Sequence, residues 1–149
     1  MTSAQDPAAG FEEEFGIGGD ARPLIPEGVY EAVCTGAEFV ELYKFGKSRK
    51  LFLHFEVYSG EHRGATLFLP MVAPSPRGKV PVASKLYANY LVANGGCPPG
   101  RRDRLSLKVF KRRLFRVGVT NVKPKFQDGT PKPAQFHYSI VAELKEPLT

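Results

Sequence analysis

Hydrophobic and polar residues alternate most cleanly over Arg49–Tyr58, where Leu51, Leu53, Phe55 and Val57 interleave with Lys50, Phe52, His54 and Glu56. A period of two predicts a strand with one apolar face; the other face mixes charge with one aromatic ring. Upstream, Gly28–Tyr43 carries the strand formers Val29, Tyr30, Val33, Phe39, Val40 and Leu42. Gly36 interrupts them and predicts a bulge or a sharp coil. Lys44–Ser48 is expected to be a loop. Ser59-Gly60 opens a turn that Gly64 ends, and Ala65–Val72 is a third strand. In that strand Leu67 and Leu69 are expected to point inward and Phe68 outward. Phe52 and Phe68 would then share the exposed face of neighbouring strands.

The pattern changes after a Pro/Gly loop at Ala73–Lys79. Val82, Leu86, Tyr90 and Ala93 recur at helical spacing, and Asn94-Gly95-Gly96 is a suitable stop, so Val82–Ala93 predicts a helix. Cys97–Arg104 reads as a loop and Leu105–Phe110 as a short strand or turn. Arg113–Val122 is a strand; Phe115 belongs to the core if Val117 and Val119 do, with Arg116 outward. Lys123–Pro133 is a loop and Gln135–Leu144 the last strand. Residues 1–22 hold only Phe11, Phe15 and Ile17 among acids and small residues. Such a stretch buries too little surface to offset its ordering entropy and is expected to be a disordered acidic tail before a body at 23–149. Three strands, a helix and two strands (β-β-β-α-β-β) match the five-stranded Greek-key barrel of the OB-fold, all-β with one helix. An irregular antiparallel sandwich would give the same string.

Composition agrees with short elements joined by turns: of 149 residues, 15 are Gly and 13 Pro, while 42% are hydrophobic. No apolar run approaches the roughly 20 residues that span a bilayer. No basic-then-apolar leader begins the sequence. Two cysteines, Cys34 and Cys97, are read as reduced thiols in a cytoplasmic protein. The net charge of +6 hides an asymmetry. Residues 1–27 carry six acids against Arg22 alone. Residues 101–125 carry ten basic groups against Asp103 alone. A basic body suggests a polyanionic partner, and the acidic tail could compete for the same surface.

Signatures of catalysis are missing. His54, His62 and His137 have no metal-ligand spacing, and neither a Gly-x-Ser-x-Gly nor a phosphate-cradling glycine motif occurs. The reading is therefore no enzyme, no cofactor and no metal. Cations interleaved with aromatic rings point instead to nucleic acid, since Lys and Arg neutralise phosphates and rings stack on bases. Arg101, Arg102, Arg112, Arg113, Arg116, Lys47, Lys50, Lys123 and Lys125 are candidate phosphate holders. Tyr43, Phe45, Phe52 and Phe68 are candidate stacking platforms, with Arg49 and His54 beside them. Phe11-Glu12-Glu13-Glu14-Phe15 could mimic nucleic acid, dock a protein partner or be inert.

Pro23-Leu-Ile-Pro-Glu-Gly-Val-Tyr-Glu-Ala-Val33 resembles the opening of small OB-fold proteins of phages and mobile elements. Lys50–Gly60 followed by Arg63-Gly64 resembles their second hairpin. The resemblance implies single-stranded DNA binding during replication or recombination. Bacterial single-strand-binding proteins carry an acidic, Phe-ended tip at the C-terminus, whereas here the acidic–aromatic segment is N-terminal. The expected function is single-stranded DNA binding with little sequence preference, by a possible homo-oligomer. The alternatives are an OB-fold adaptor for an acidic protein and an RNA-binding module.

Overall fold

The computed structural model describes residues 7–15, 22–42, 48–75, 78–102 and 104–149. The fold is mostly β. Five antiparallel strands form one sheet: β1 (Gly28–Leu42), β2 (Ser48–Val57), β3 (Thr66–Ala73), β4 (Leu114–Val122) and β5 (Tyr138–Pro147), in the order β3-β2-β1-β4-β5. Among the described residues the one α-helix, α1 (Lys85–Ala93), lies between β3 and β4 in sequence.

β1 is the centre of the sheet. Its first half pairs with β4 from Gly28↔Val119 to Val33↔Leu114, and it pairs with β2 from Ala32↔Val57 to Leu42↔Ser48. The register with β2 slips between Cys34 and Gly36, which is the bulge that Gly36 predicts. The slip changes which residues of β1 share the face of the inward β2 residues, although Ala37 and Phe39 beyond it are exposed. Before it Ala32 and Cys34 oppose Val57 and Phe55; after it Ala37 and Phe39 oppose Leu53 and Leu51. The inward set of β2 and β3 follows the alternation without a break: Leu51, Leu53, Phe55, Val57, Leu67, Leu69 and Met71 are all buried. Phe115 is completely buried and meets Phe55 and Phe110, with ring centroids 6.4 Å away in each case.

The helix is shorter than its periodicity suggests. Ser84 is the cap: its Oγ accepts from the Tyr87 N–H at 3.1 Å, so the helix begins at Lys85 and Val82 stands 72% exposed in the preceding turn. Buried Asn89 fastens α1 to β5. Its Oδ1 accepts from the Leu144 N–H at 3.0 Å, while its Nδ2 donates to the Lys85 carbonyl and lies 3.6 Å from Met71 Sδ of β3. The helix thus packs against both edge strands. Those edges also approach each other directly, with Phe68 of β3 stacked on Tyr138 of β5, centroids 6.3 Å apart. Among the described residues no hydrogen-bonded ladder joins them.

Other boundaries shift where side chains compete with the main-chain pattern. Leu107–Val109 is a 3₁₀ turn, capped by Ser106 Oγ, in place of a short strand. A 3₁₀ turn at Ala134–Phe136 delays β5 to Tyr138. Pro7–Glu12 is a 3₁₀ turn inside the segment expected to be disordered. No helix among the described residues is long and apolar enough to cross a membrane.

Candidate nucleic-acid interface

Cross-strand register assembles the outer face of β2 and β3. His54 lies opposite Phe68, Phe52 opposite Pro70, and Lys50 opposite Val72. Phe52 and Phe68 meet edge to face, centroids 5.4 Å apart, a favoured geometry for two rings. Tyr138 extends the row across the seam to β5, stacked on Phe68 at an interplanar angle of 23°. All three are half-buried, so each leaves part of its ring to solvent. His54 Nε2 lies 3.2 Å from Glu38 Oε2 of β1, at the border of the row.

Arg22 covers one end of the row. Its Cζ is 4.5 Å from the Tyr138 centroid and 5.2 Å from that of Phe68, within cation–π range. Ser139 anchors the residues that follow Arg22. The buried Ser139 hydroxyl accepts from the Ile25 N–H at 2.8 Å and donates to Asn121 Oδ1 at 2.6 Å. The Ser139 N–H donates to the Pro23 carbonyl at 2.9 Å. Residues 23–25 are thereby laced to β5 beside Tyr138. A second aromatic group lies in the β4–β5 connection, where Lys132 Nζ is 5.4 Å from the Phe126 centroid and 5.7 Å from that of Phe136. Both rings are about half exposed. In the same loop Asp128 accepts from the Thr130 hydroxyl and N–H, which hold its carboxyl below the usual range.

The remaining candidates scatter. Lys50, Phe52, His54 and Phe68 share the outer face. Arg49 belongs to the opposite face, its Cζ 4.0 Å from the Phe39 centroid and Nη1 3.2 Å from the Pro74 carbonyl. Tyr43, Phe45 and Lys47 lie outside the described residues. Lys123 and Lys125 are exposed in the β4–β5 connection, Lys125 bridging to Pro131. Arg101 and Arg102 are exposed in the loop after α1, where Arg101 bridges to Arg104.

The 112–116 cluster divides three ways. Arg113 is built into the fold: Nη1 donates to the carbonyls of Ala93 at 2.6 Å and Val109 at 3.2 Å, and Nη2 to that of Thr149 at 2.8 Å. Arg116 pairs with Glu146 of β5. Exposed Arg112 turns the chain into β4 with φ 56°, and its N–H donates to the Cys34 carbonyl at 3.0 Å. Tyr138, Arg22, Phe126 and Phe136 are members of the two ring groups that sequence reasoning did not single out. Period-two alternation counted back from Val141 marks Tyr138 as outward.

Cys34 is buried in β1, and burial pushes its thiol up to about 11 from the ordinary 9.0. It is a neutral, inert wall at neutral pH, whereas Cys97 is exposed. The folded chain keeps its Cys34 proton where the unfolded chain loses it. Cys34 therefore lowers stability as pH rises from about 9 to about 11. At pH 8 a thiol reagent is expected to modify Cys97 at once and Cys34 only after denaturant is added. Equal rates for both in the folded chain would refute that burial.

Among the described residues no group of three or more His, Cys, Asp or Glu is placed to hold a metal ion. No protein-family model matches the sequence, and no curated protein matches it at a significant level.

Proposed function

We propose that the chain is a non-enzymatic protein that binds single-stranded nucleic acid, DNA in the first instance, with little sequence preference. The observation that carries this reading is the row Phe52–Phe68–Tyr138, partly open to solvent across three strands and flanked by Arg22 and Lys50. Rings accept any base by stacking, and cations beside them hold the phosphates between bases. The strand order, the helix between β3 and β4, and the approach of β3 to β5 support an OB-type barrel in which this row is the groove floor. Lys123, Lys125 and Lys132, with Phe126 and Phe136, would form one wall. A role in replication or recombination follows from the resemblance of the first two strands to the phage proteins.

The test is fluorescence anisotropy with a labelled dT strand of about 30 nucleotides, longer than the usual site of one such fold. Binding is expected to favour the single strand over a matched duplex and to weaken steeply with salt, as counterion release requires. Absence of binding at low salt would refute the reading. Docking of an acidic protein through an apolar centre would show far less dependence on salt.

A further inference from the structure

Between the bulge of β1 and the 3₁₀ turn before β4 lies a half-open cleft of about 260 Å³. Its walls are Cys34, Ala37, Leu53, Leu107 and Phe110, and its mouth carries Lys108 and Lys111. Thr35 and Gly36 complete the lining, which is mostly apolar, and the buried Cys34 thiol stays protonated. Both lysines are exposed, Arg112 follows them in the chain with its N–H on the Cys34 carbonyl, and among the described residues no carboxylate lines the cleft. An apolar cavity of about 150 Å³ accepts benzene, so a phenyl ring has room here. A cationic mouth over an apolar cleft suits a ring flanked by carboxylates.

The chain carries such a ligand in Phe11-Glu12-Glu13-Glu14-Phe15. Its two rings are 92% and 82% exposed, so in its own chain neither is seated. We propose that this cleft binds the Phe11–Phe15 segment of a second copy, with one ring inside and the Glu12–Glu14 carboxylates against Lys108 and Lys111. Each copy then offers a segment and a cleft at different places on its surface. The contact is heterologous and joins copies head to tail. Its charge complementarity makes it salt-sensitive and gives it direction. It is independent of nucleic-acid binding.

The test begins with a fluorescent peptide of residues 8–18 and the full chain bearing Phe11→Ser and Phe15→Ser, which removes the internal competitor. Saturable binding at one site per chain is expected. Adding Lys108→Glu and Lys111→Glu, both at exposed positions, should weaken it by about tenfold or more, because like charges then face each other. A peptide with Glu12→Lys, Glu13→Lys and Glu14→Lys should bind that charge-reversed chain again. No binding, or binding indifferent to both reversals, would overturn the proposal. Sedimentation velocity then identifies the source of the segment. Concentration-dependent association of the unaltered chain, lost with Phe11→Ser and Phe15→Ser, supports a second copy. A monomer at every concentration would overturn that assignment.

Discussion

Replacing Phe115 by alanine is expected to remove about 3–5 kcal/mol of stability, the usual cost of emptying a large buried aromatic site. Phe115 sits on β4 opposite Ala32 of β1, fully buried, between Phe55 of β2 and Phe110 of the preceding turn. Its ring joins the two halves of the sheet to the connection that follows α1. Arg113 also lies over it, Cζ 5.5 Å from the centroid, and so loses its apolar support in the same substitution. A domain stabilised by about 5–15 kcal/mol loses a large share of its margin. The urea midpoint should fall with the slope unchanged. Phe115→Leu, which keeps most of the volume, should cost much less. A loss below about 1 kcal/mol for Phe115→Ala would mean that the neighbouring rings close the gap and that Phe115 is not their keystone.

Phe68→Ala is expected to weaken single-strand binding by about 1–3 kcal/mol, the worth of one stacked base. Phe68 is the middle ring of the row, touching Phe52 on one side and Tyr138 and Arg22 on the other. Its removal takes away a platform and unseats both neighbours. The salt slope should change little, because Lys50 is untouched and Arg22 keeps its closer seat on Tyr138. Lys50→Ala should do the reverse, reducing the slope by about one unit with a smaller loss of affinity. Circular dichroism checks the fold, since Phe68 is on the outer face and its loss leaves no core cavity. An unchanged affinity for Phe68→Ala would remove the ring row from the binding site.

How much of this was legible in the sequence depends on the range of the forces involved. Local alternation placed Leu51, Leu53, Phe55 and Val57 inward and Phe52 and Phe68 together on the outer face, because pleating alone decides it. The slip at Gly36 was legible for a similar reason: a residue without Cβ marks where a strand can change register. Buried Val117 and Val119 carried Phe115 into the core with them. The arginines were not legible. Their spacing shows only that charge accumulates after residue 100; what each one touches lies far away in sequence. Arg116 finds Glu146 and Arg113 finds Ala93 and Thr149. Arg22 looked like the last residue of a tail, yet Ser139, more than a hundred positions on, laces the adjoining residues to β5. Tyr138 was hidden because the turn at Ala134–Phe136 breaks the alternation just before it.

The strand order has a consequence for how the chain comes to be folded. β2–β3 and β4–β5 are pairs of strands that follow each other in sequence, but the pairing that unites them joins Gly28 to Val119, 91 residues apart. Closing so long a loop comes late and makes the fold a slow one. During synthesis β1 leaves the ribosome well before its second partner. At about 5–20 residues per second, its edge waits about 5–20 s for β4. Such an edge is open to any passing strand. Glu31, which will face Arg116 once β4 arrives, is in the meantime a charge that discourages the wrong neighbour.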